Sequence, residues 1–321
     1  MSNSNSVYKG IALITTAVTK SPTDSNPDRV TFSALPAGRY KSKNPQTNPS
    51  QAVFVHDIYD TTDGTTLAAT SLTIQKVQEI INSSSKNKEE ADPTLKSQRK
   101  VLFTVHGYNG HPKGYLLWVQ AVMNRFEKFY LLPVIWPSMG KTLGYFEDKV
   151  YSKLAGELLA TIQVPTETFS KSLLIHSMGN RVLRSFANPN FNFSNIFMVA
   201  PDVDARIFTT KYINGGTQEW RQDGLRIREM LSEDGKIHVI YNRNDRMLLP
   251  SMFLNFSQRL GRTGIDHGGL FCCKTSQDDL HEDVQGRIVA VDWSQSHPSD
   301  SHNYVFDWSV AAYIDSEYVV S

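Results

Sequence analysis

The sequence predicts an α/β protein: a mostly parallel central sheet of about eight strands with helices on both faces. Two observations point there. From Val101 onward, short and wholly apolar runs alternate with amphipathic stretches of helical period, the pattern of a parallel sheet wrapped on two sides. The short polar segments of unusual composition come after those apolar runs, where the functional loops of such a sheet lie.

The strands are read at Val101–Val105, Leu132–Trp136, Ser172–His176, Asn195–Val199, Lys236–Tyr241 and Arg287–Asp292, each apolar as burial on both faces requires. Helices are expected at Pro112–Phe129, Tyr145–Ile162, Met178–Phe186, Thr217–Leu231 and Leu248–Leu260, with apolar residues recurring every three or four places. Ahead of this rhythm, residues 1–100 supply strands at Ile11–Thr19 and Ala52–Tyr59 and a helix at Ser71–Asn82 with Leu72, Val77, Ile80 and Ile81 on one face. Ser21–Ser50, crowded with Pro, Asn, Ser and Lys, reads as loop with a short strand at Val30–Ser33, and Ser83–Lys100 as a polar connection. We therefore expect residues 1–100 to be part of the same sheet and residues 101–321 to form the core that carries the chemistry.

Composition excludes several classes of function. A formal net charge of +1 over 321 residues gives no electrostatic reason to expect nucleic acid as a partner. No apolar run reaches the roughly 18 to 20 residues of a membrane span, and the polar start Met1–Lys9 is unlike a signal peptide, so a cytoplasmic protein is expected. Cys272 and Cys273 are adjacent and form no disulfide framework. Asp266, His267, His281, Glu282 and Asp283 lie near them, but their spacing fits no usual zinc pattern. Neither a metal nor a cofactor is expected.

The most specific stretch is Leu173–Arg181, Leu-Leu-Ile-His-Ser-Met-Gly-Asn-Arg. An apolar strand stops at a serine, and a glycine two places on opens a helix-like segment. A sharp strand-to-helix turn of this kind raises one hydroxyl above the end of the sheet. A serine at a strand end is otherwise only a helix N-cap, so the neighbouring loops decide. They are His106-Gly107-Tyr108-Asn109, Pro137-Ser138-Met139-Gly140, Ala200-Pro201-Asp202-Val203-Asp204, Asn242-Arg243-Asn244-Asp245-Arg246 and a last loop with His297 and His302. Serine, acid and histidine thus follow one another on successive strand ends. A serine hydroxyl needs a histidine to take its proton and a buried carboxylate to hold the imidazole. The negative oxygen of an acyl intermediate needs N–H donors already aimed at it. Met178, next after the serine, and the His106-Gly107-Tyr108 turn are placed to give them.

With these residues in view the chain resembles the α/β-hydrolase superfamily. Within it, it is similar to a widespread, poorly characterised esterase-like group carrying His-Gly-Tyr-Asn (His106–Asn109), Trp-Pro-Ser (Trp136–Ser138), His-Ser-Met-Gly-Asn-Arg (His176–Arg181), Ala-Pro-Asp-Val-Asp-Ala (Ala200–Ala205) and Asn-Asp-Arg (Asn244–Arg246). The resemblance covers Val101 to the end. It implies a Ser-His-Asp hydrolase that cleaves a carboxylic ester through an acyl-enzyme, with Ser177 as nucleophile, Asp245 as acid and His302 as base. Met178 with Tyr108 or Gly107 would form the oxyanion hole. Asp202 and Asp204 are alternative acids; the other reading of Asp202 is a helix N-cap or a loop-ordering carboxylate partnered by Arg206 or Arg246. His297 is the alternative base. His176 is expected to point into the fold, and His106 to shape the oxyanion turn. One departure stands out: the superfamily's elbow has a small residue two places before the serine, and this chain has Ile175.

His106, Asn109, Trp136, Met139 and Tyr145, with Tyr108, are candidates for the substrate pocket, and an aromatic wall of this kind favours an uncharged ester. Arg206–Asp234 and Pro250–Gly286 are long enough to roof the site. The same parts serve a thioesterase, an amidase or an acyltransferase, and a non-catalytic binding protein of the same fold is the reading from another class.

Overall fold

Ten strands form one sheet: β1 (Tyr8–Ile14), β2 (Arg29–Phe32), β3 (Val53–Asp60), β4 (Leu67–Ser71), β5 (Lys100–Val105), β6 (Tyr130–Ile135), β7 (Ser170–His176), β8 (Phe193–Val199), β9 (Leu231–Tyr241) and β10 (Ile288–Asp292). This computed structural model describes residues 8–14, 29–32, 53–60, 67–71, 75–77, 79–81, 100–108, 110, 112–122, 126, 129–136, 138, 144–160, 170–186, 191–210, 212, 223–265, 279–296 and 302–317. The strand order is β10-β9-β8-β7-β5-β6-β1-β3-β4-β2. Neighbours from β10 through β1 pair in parallel, seven strands in all, and β3, β4 and β2 add an antiparallel edge.

The parallel strands are buried because helices cover both faces. On one face Ala155 and Leu159 of helix Tyr145–Ala160, Val182 and Leu183 of helix Gly179–Ser185, and Ile227 of helix Asp223–Glu229 join Phe103, Val105, Leu173 and Ile175. On the other, Leu116 and Val119 of helix Pro112–Val122 and Val310 and Ile314 of helix Trp308–Ser316 pack on Leu102, Leu174 and Phe197. Each fully buried aliphatic or aromatic side chain contributes about 1.5–3 kcal/mol by leaving water, so the two layers fix which residue of each strand faces which way. The chain leaves β5 toward β6 on one side and returns to β7 on the other. Beyond the carboxyl ends of β5 and β7 lies the switch point where open parallel sheets bind ligands.

Four boundaries depart from the sequence reading. Ser71 ends β4, so the expected helix starts later; residues 75–77 and 79–81 are helical and bury Val77 and Ile81. The helix expected to reach Phe129 is described over Pro112–Val122, and Phe126 and Phe129, buried in the same layer, are not helical. Leu231 opens β9 rather than closing a helix. The register of β8 and β9 shifts between Phe193 and Asn195, and Gly235 lies so close that a Cβ there would stand 2.8 Å from the Phe193 carbonyl. That irregularity hides strand alternation in Ser232–Gly235. The stretch Leu248–Leu260 holds helix Leu249–Asn255, which ends at Phe256 in the left-handed region (φ 48), and helix Leu260–Thr263 follows. The break turns Ser257, Gln258 and Arg259 inward, each at most 5% exposed. Among the described residues no helix is long and apolar enough to cross a membrane.

Candidate active site

Ser177 sits between β7 and helix Gly179–Ser185 with φ at +52, a conformation costing roughly 1–2 kcal/mol for a residue with a Cβ. The surroundings hold it there. Its N–H donates to the Val199 carbonyl (2.9 Å), and its own carbonyl accepts from the Asn180 N–H (3.1 Å), the Asn180 side-chain amide (2.9 Å) and the Asp202 N–H (3.2 Å). Asn180, fully buried, was given no role in the sequence beyond its place in the His-Ser-Met-Gly-Asn-Arg motif; here it pins the turn.

The turn closes despite Ile175 because the room comes from the other side. A Cβ built on Gly179 would stand 2.5 Å from the His106 carbonyl oxygen and 3.2 Å from Ile175 Cγ2. Glycine two places after the serine therefore accommodates the branched residue two places before it.

Three strand ends converge on the hydroxyl. His302 Nε2 lies 2.7 Å from Ser177 Oγ, and His302 Nδ1 lies 2.6 Å from Asp245 Oδ2. Asp245 is fully buried, Ser177 is buried and the His302 side chain is 14% exposed. A carboxylate only accepts, so Nδ1 carries the proton and Nε2 is free to take one from the serine. The other oxygen of Asp245, Oδ1, accepts from the Met247 N–H at 3.0 Å, and the Asp245 N–H donates to the Asn242 carbonyl at 3.0 Å. Tyr304, buried two residues after His302, donates its hydroxyl proton to the Ile240 carbonyl at 3.2 Å and so ties this segment to β9.

The turn after β5 lies against Ser177. A Cβ on Gly107 would lie 2.9 Å from Ser177 Cβ, so glycine lets the backbone come against Ser177. Met178 N–H follows Ser177 directly, and Tyr108, partly buried, meets the Tyr145 ring edge-on at 5.9 Å. His106 shapes this turn. Burial lowers its pKa to about 4. It is therefore neutral at pH 7, with Nδ1–H donating to the Gly107 carbonyl (2.9 Å) and Nε2 accepting from the Trp136 N–H (3.3 Å). Trp136 stacks on it at 5.1 Å and donates its indole N–H to the His106 carbonyl at 2.7 Å. Fully buried, Trp136 and His106 stand behind the turn and not on an open pocket wall.

Asp202 is buried, but its carboxylate meets other side chains than Ser177 and His302. Tyr145 OH donates to its Oδ2 at 3.1 Å, Ser251 donates to Oδ1, Arg181 Nε lies at 3.4 Å and Arg259 Nη1 at 3.8 Å. Burial pushes this carboxyl up, but the two guanidiniums outweigh it and hold it below the usual carboxylate range. Its partners are thus Arg181 and Arg259, not Arg206 or Arg246; Arg206 pairs instead with Asp204 at 2.8 Å. Tyr145 also accepts from Arg181 Nη2 (2.8 Å) and the Asn255 amide (2.9 Å), so its hydroxyl is taken up here while its ring meets Tyr108. Asn109, Met139, His297, Asp266, His267, Cys272 and Cys273 lie outside the described residues.

A model of a family described as alpha/beta hydrolase of unknown function (DUF900) matches residues 83–277. That span holds Gly107, Ser177, Asp202 and Asp245, and His302 follows it. No curated protein matches the chain. With more than half of its length matched, and with a parallel sheet whose strand ends carry the polar loops, the chain belongs to this α/β-hydrolase family.

Proposed function

We propose that the protein is a serine hydrolase that cleaves a carboxylic ester through an acyl-enzyme, and that it works in the cytoplasm without metal or cofactor. The single observation that carries this reading is the hydrogen-bonded chain Ser177 Oγ, His302 Nε2, His302 Nδ1, Asp245 Oδ2 at 2.7 and 2.6 Å. In the first half-reaction His302 Nε2 takes the hydroxyl proton as Ser177 Oγ bonds to the ester carbonyl carbon. The carbonyl oxygen becomes an oxyanion facing the N–H groups of Met178 and of Gly107 or Tyr108. The carbon–alkoxide bond breaks, and the alcohol leaves with the proton from His302. In the second half water repeats the steps, releasing the acid and restoring Ser177. Buried Asp245 keeps the imidazole oriented and supports its positive charge while the proton is held.

Thioesters, amides or acyl transfer to an alcohol would use the same groups, and product ratios with and without an added nucleophile separate transfer from hydrolysis. The reading is tested by intact-mass spectrometry after incubation with a fluorophosphonate. One adduct is expected on the wild type and none on Ser177→Ala, with turnover of p-nitrophenyl acetate lost in the variant by about 10⁵-fold or more. A folded wild type that takes up no adduct and leaves the ester intact would move the non-catalytic binding role to the front.

A further inference from the structure

Besides His302, a second histidine reaches the triad, and it belongs to the nucleophile's own strand. Ile175 packs in one core layer and Leu174 in the other. Strand alternation therefore turns His176 toward the layer of the last helix, where His302 and Tyr304 arrive. Its Nε2 lies 3.1 Å from the backbone carbonyl oxygen of His302. A carbonyl only accepts, so Nε2 carries the proton. The two rings stand 4.9 Å apart at 44°. On the far side of the His176 ring, a Cβ on Gly107 would lie 2.9 Å from Nδ1. One buried imidazole thus touches both the base's loop and the oxyanion turn. Burial, with the neighbouring His302 adding to it, lowers its pKa to about 3, so at neutral pH it adds no charge to oppose the imidazolium formed on His302.

Resting on the serine-hydrolase reading, we infer that His176 is a positioning residue: its Nε2–H holds the His302 backbone and so sets the catalytic base over Ser177 from the strand that carries the nucleophile. Ser177 follows His176 directly, and the hydrogen bond links that strand end to the loop of the base. Base and nucleophile thereby keep their separation. A misplacement of about 1 Å in a reacting group costs about 10²-fold in rate.

The test compares His176→Leu with His176→Gln, whose side-chain N–H reaches the height of Nε2, using p-nitrophenyl acetate as probe and Ser177→Ala as blank. Leucine should lower kcat about 10- to 100-fold with KM within about 2-fold, and glutamine should restore kcat to within about 5-fold of wild type. If the leucine variant does not fold, His176→Asn replaces it, since its shorter amide does not reach the His302 carbonyl; the same loss is expected. A leucine or asparagine variant with wild-type kcat, or a glutamine variant that falls as far as they do, overturns the proposal. A second readout needs no substrate: the proton of the His302–Asp245 hydrogen bond, followed by NMR. It should be sharp in the wild type and in His176→Gln and broadened in the leucine or asparagine variant. An unchanged signal in that variant overturns the positioning role even if the protein hydrolyses no ester, whereas an inert wild type with the expected line shapes would count against the esterase reading alone.

Discussion

Asp202 and Asp245 follow neighbouring parallel strands, and both are buried, yet they have opposite neighbours. Asp245 gives one oxygen to an imidazole and the other to a backbone N–H. Asp202 gives both oxygens to hydroxyls and lies against two guanidiniums. An imidazole accepts and releases a proton near neutral pH, so a carboxylate beside it can support proton transfer. A guanidinium never releases its proton, so a carboxylate beside it does structural work. The same residue type past the ends of neighbouring strands thus meets partners of different chemistry, and the tasks proposed for the two differ accordingly.

The comparison breaks most visibly at Asp245. Asp245→Asn should leave the fold intact and lower kcat about 10⁴-fold, because the amide favours the wrong imidazole tautomer; steady-state kinetics and a thermal melt on the same sample check it. Asp202→Asn should do the reverse. It leaves Arg181 and Arg259 buried without their counter-charge, and breaking such a group costs about 3–5 kcal/mol. Urea unfolding should show that loss while the folded fraction keeps kcat within a few-fold, and a collapse of kcat at full stability would make Asp202 the acid.

A gentler probe sharpens the contrast by pH. Burial lowers the pKa of His106, His176 and His238 from 6.5 to about 4, 3 and 4. The unfolded chain therefore binds more protons than the folded one between those values and 6.5. Stability is whole above about pH 6.5 and falls below it, by about 1.4 kcal/mol per pH unit for each histidine, until the folded values are passed. Asp202, held below 3.8, is ionised in both states over most of that window, and its contribution is lost only at more acid pH. Urea midpoints from pH 8 to 4 should slope downward equally in wild type and Asp202→Asn; a slope that disappears in the variant would assign the acid sensitivity to Asp202.

Much of the fold was legible because burial on both faces writes parallel strands as unbroken apolar runs, as at Val101–Val105 and Asn195–Val199. Ser177, Asp245 and His302, which the structure brings within hydrogen-bonding distance, stood out in the sequence because they follow strands in chain order. Strand β4 was hidden because Leu-Ala-Ala-Thr-Ser has no strong β preference and leads into a helical pattern. The Asp202 network was hidden for another reason. Arg259 is 57 residues from Asp202 in the chain and reaches it only because the helix breaks at Phe256. Ser251 and Asn255 look like ordinary polar positions on a helix until Tyr145 is placed between them. Contacts that depend on where two distant loops meet leave no periodicity to read. Gly179, by contrast, was visible all along, but its bearing on Ile175 becomes clear only when the gap between them is measured.

The left-handed backbone at Ser177 has a consequence for anyone who evolves this protein in the laboratory. Glycine adopts that conformation without the steric cost that serine meets. A library screened for heat tolerance alone would therefore be drawn toward glycine at position 177 and would discard the proposed nucleophile in the same step. Every round of such selection needs an activity gate.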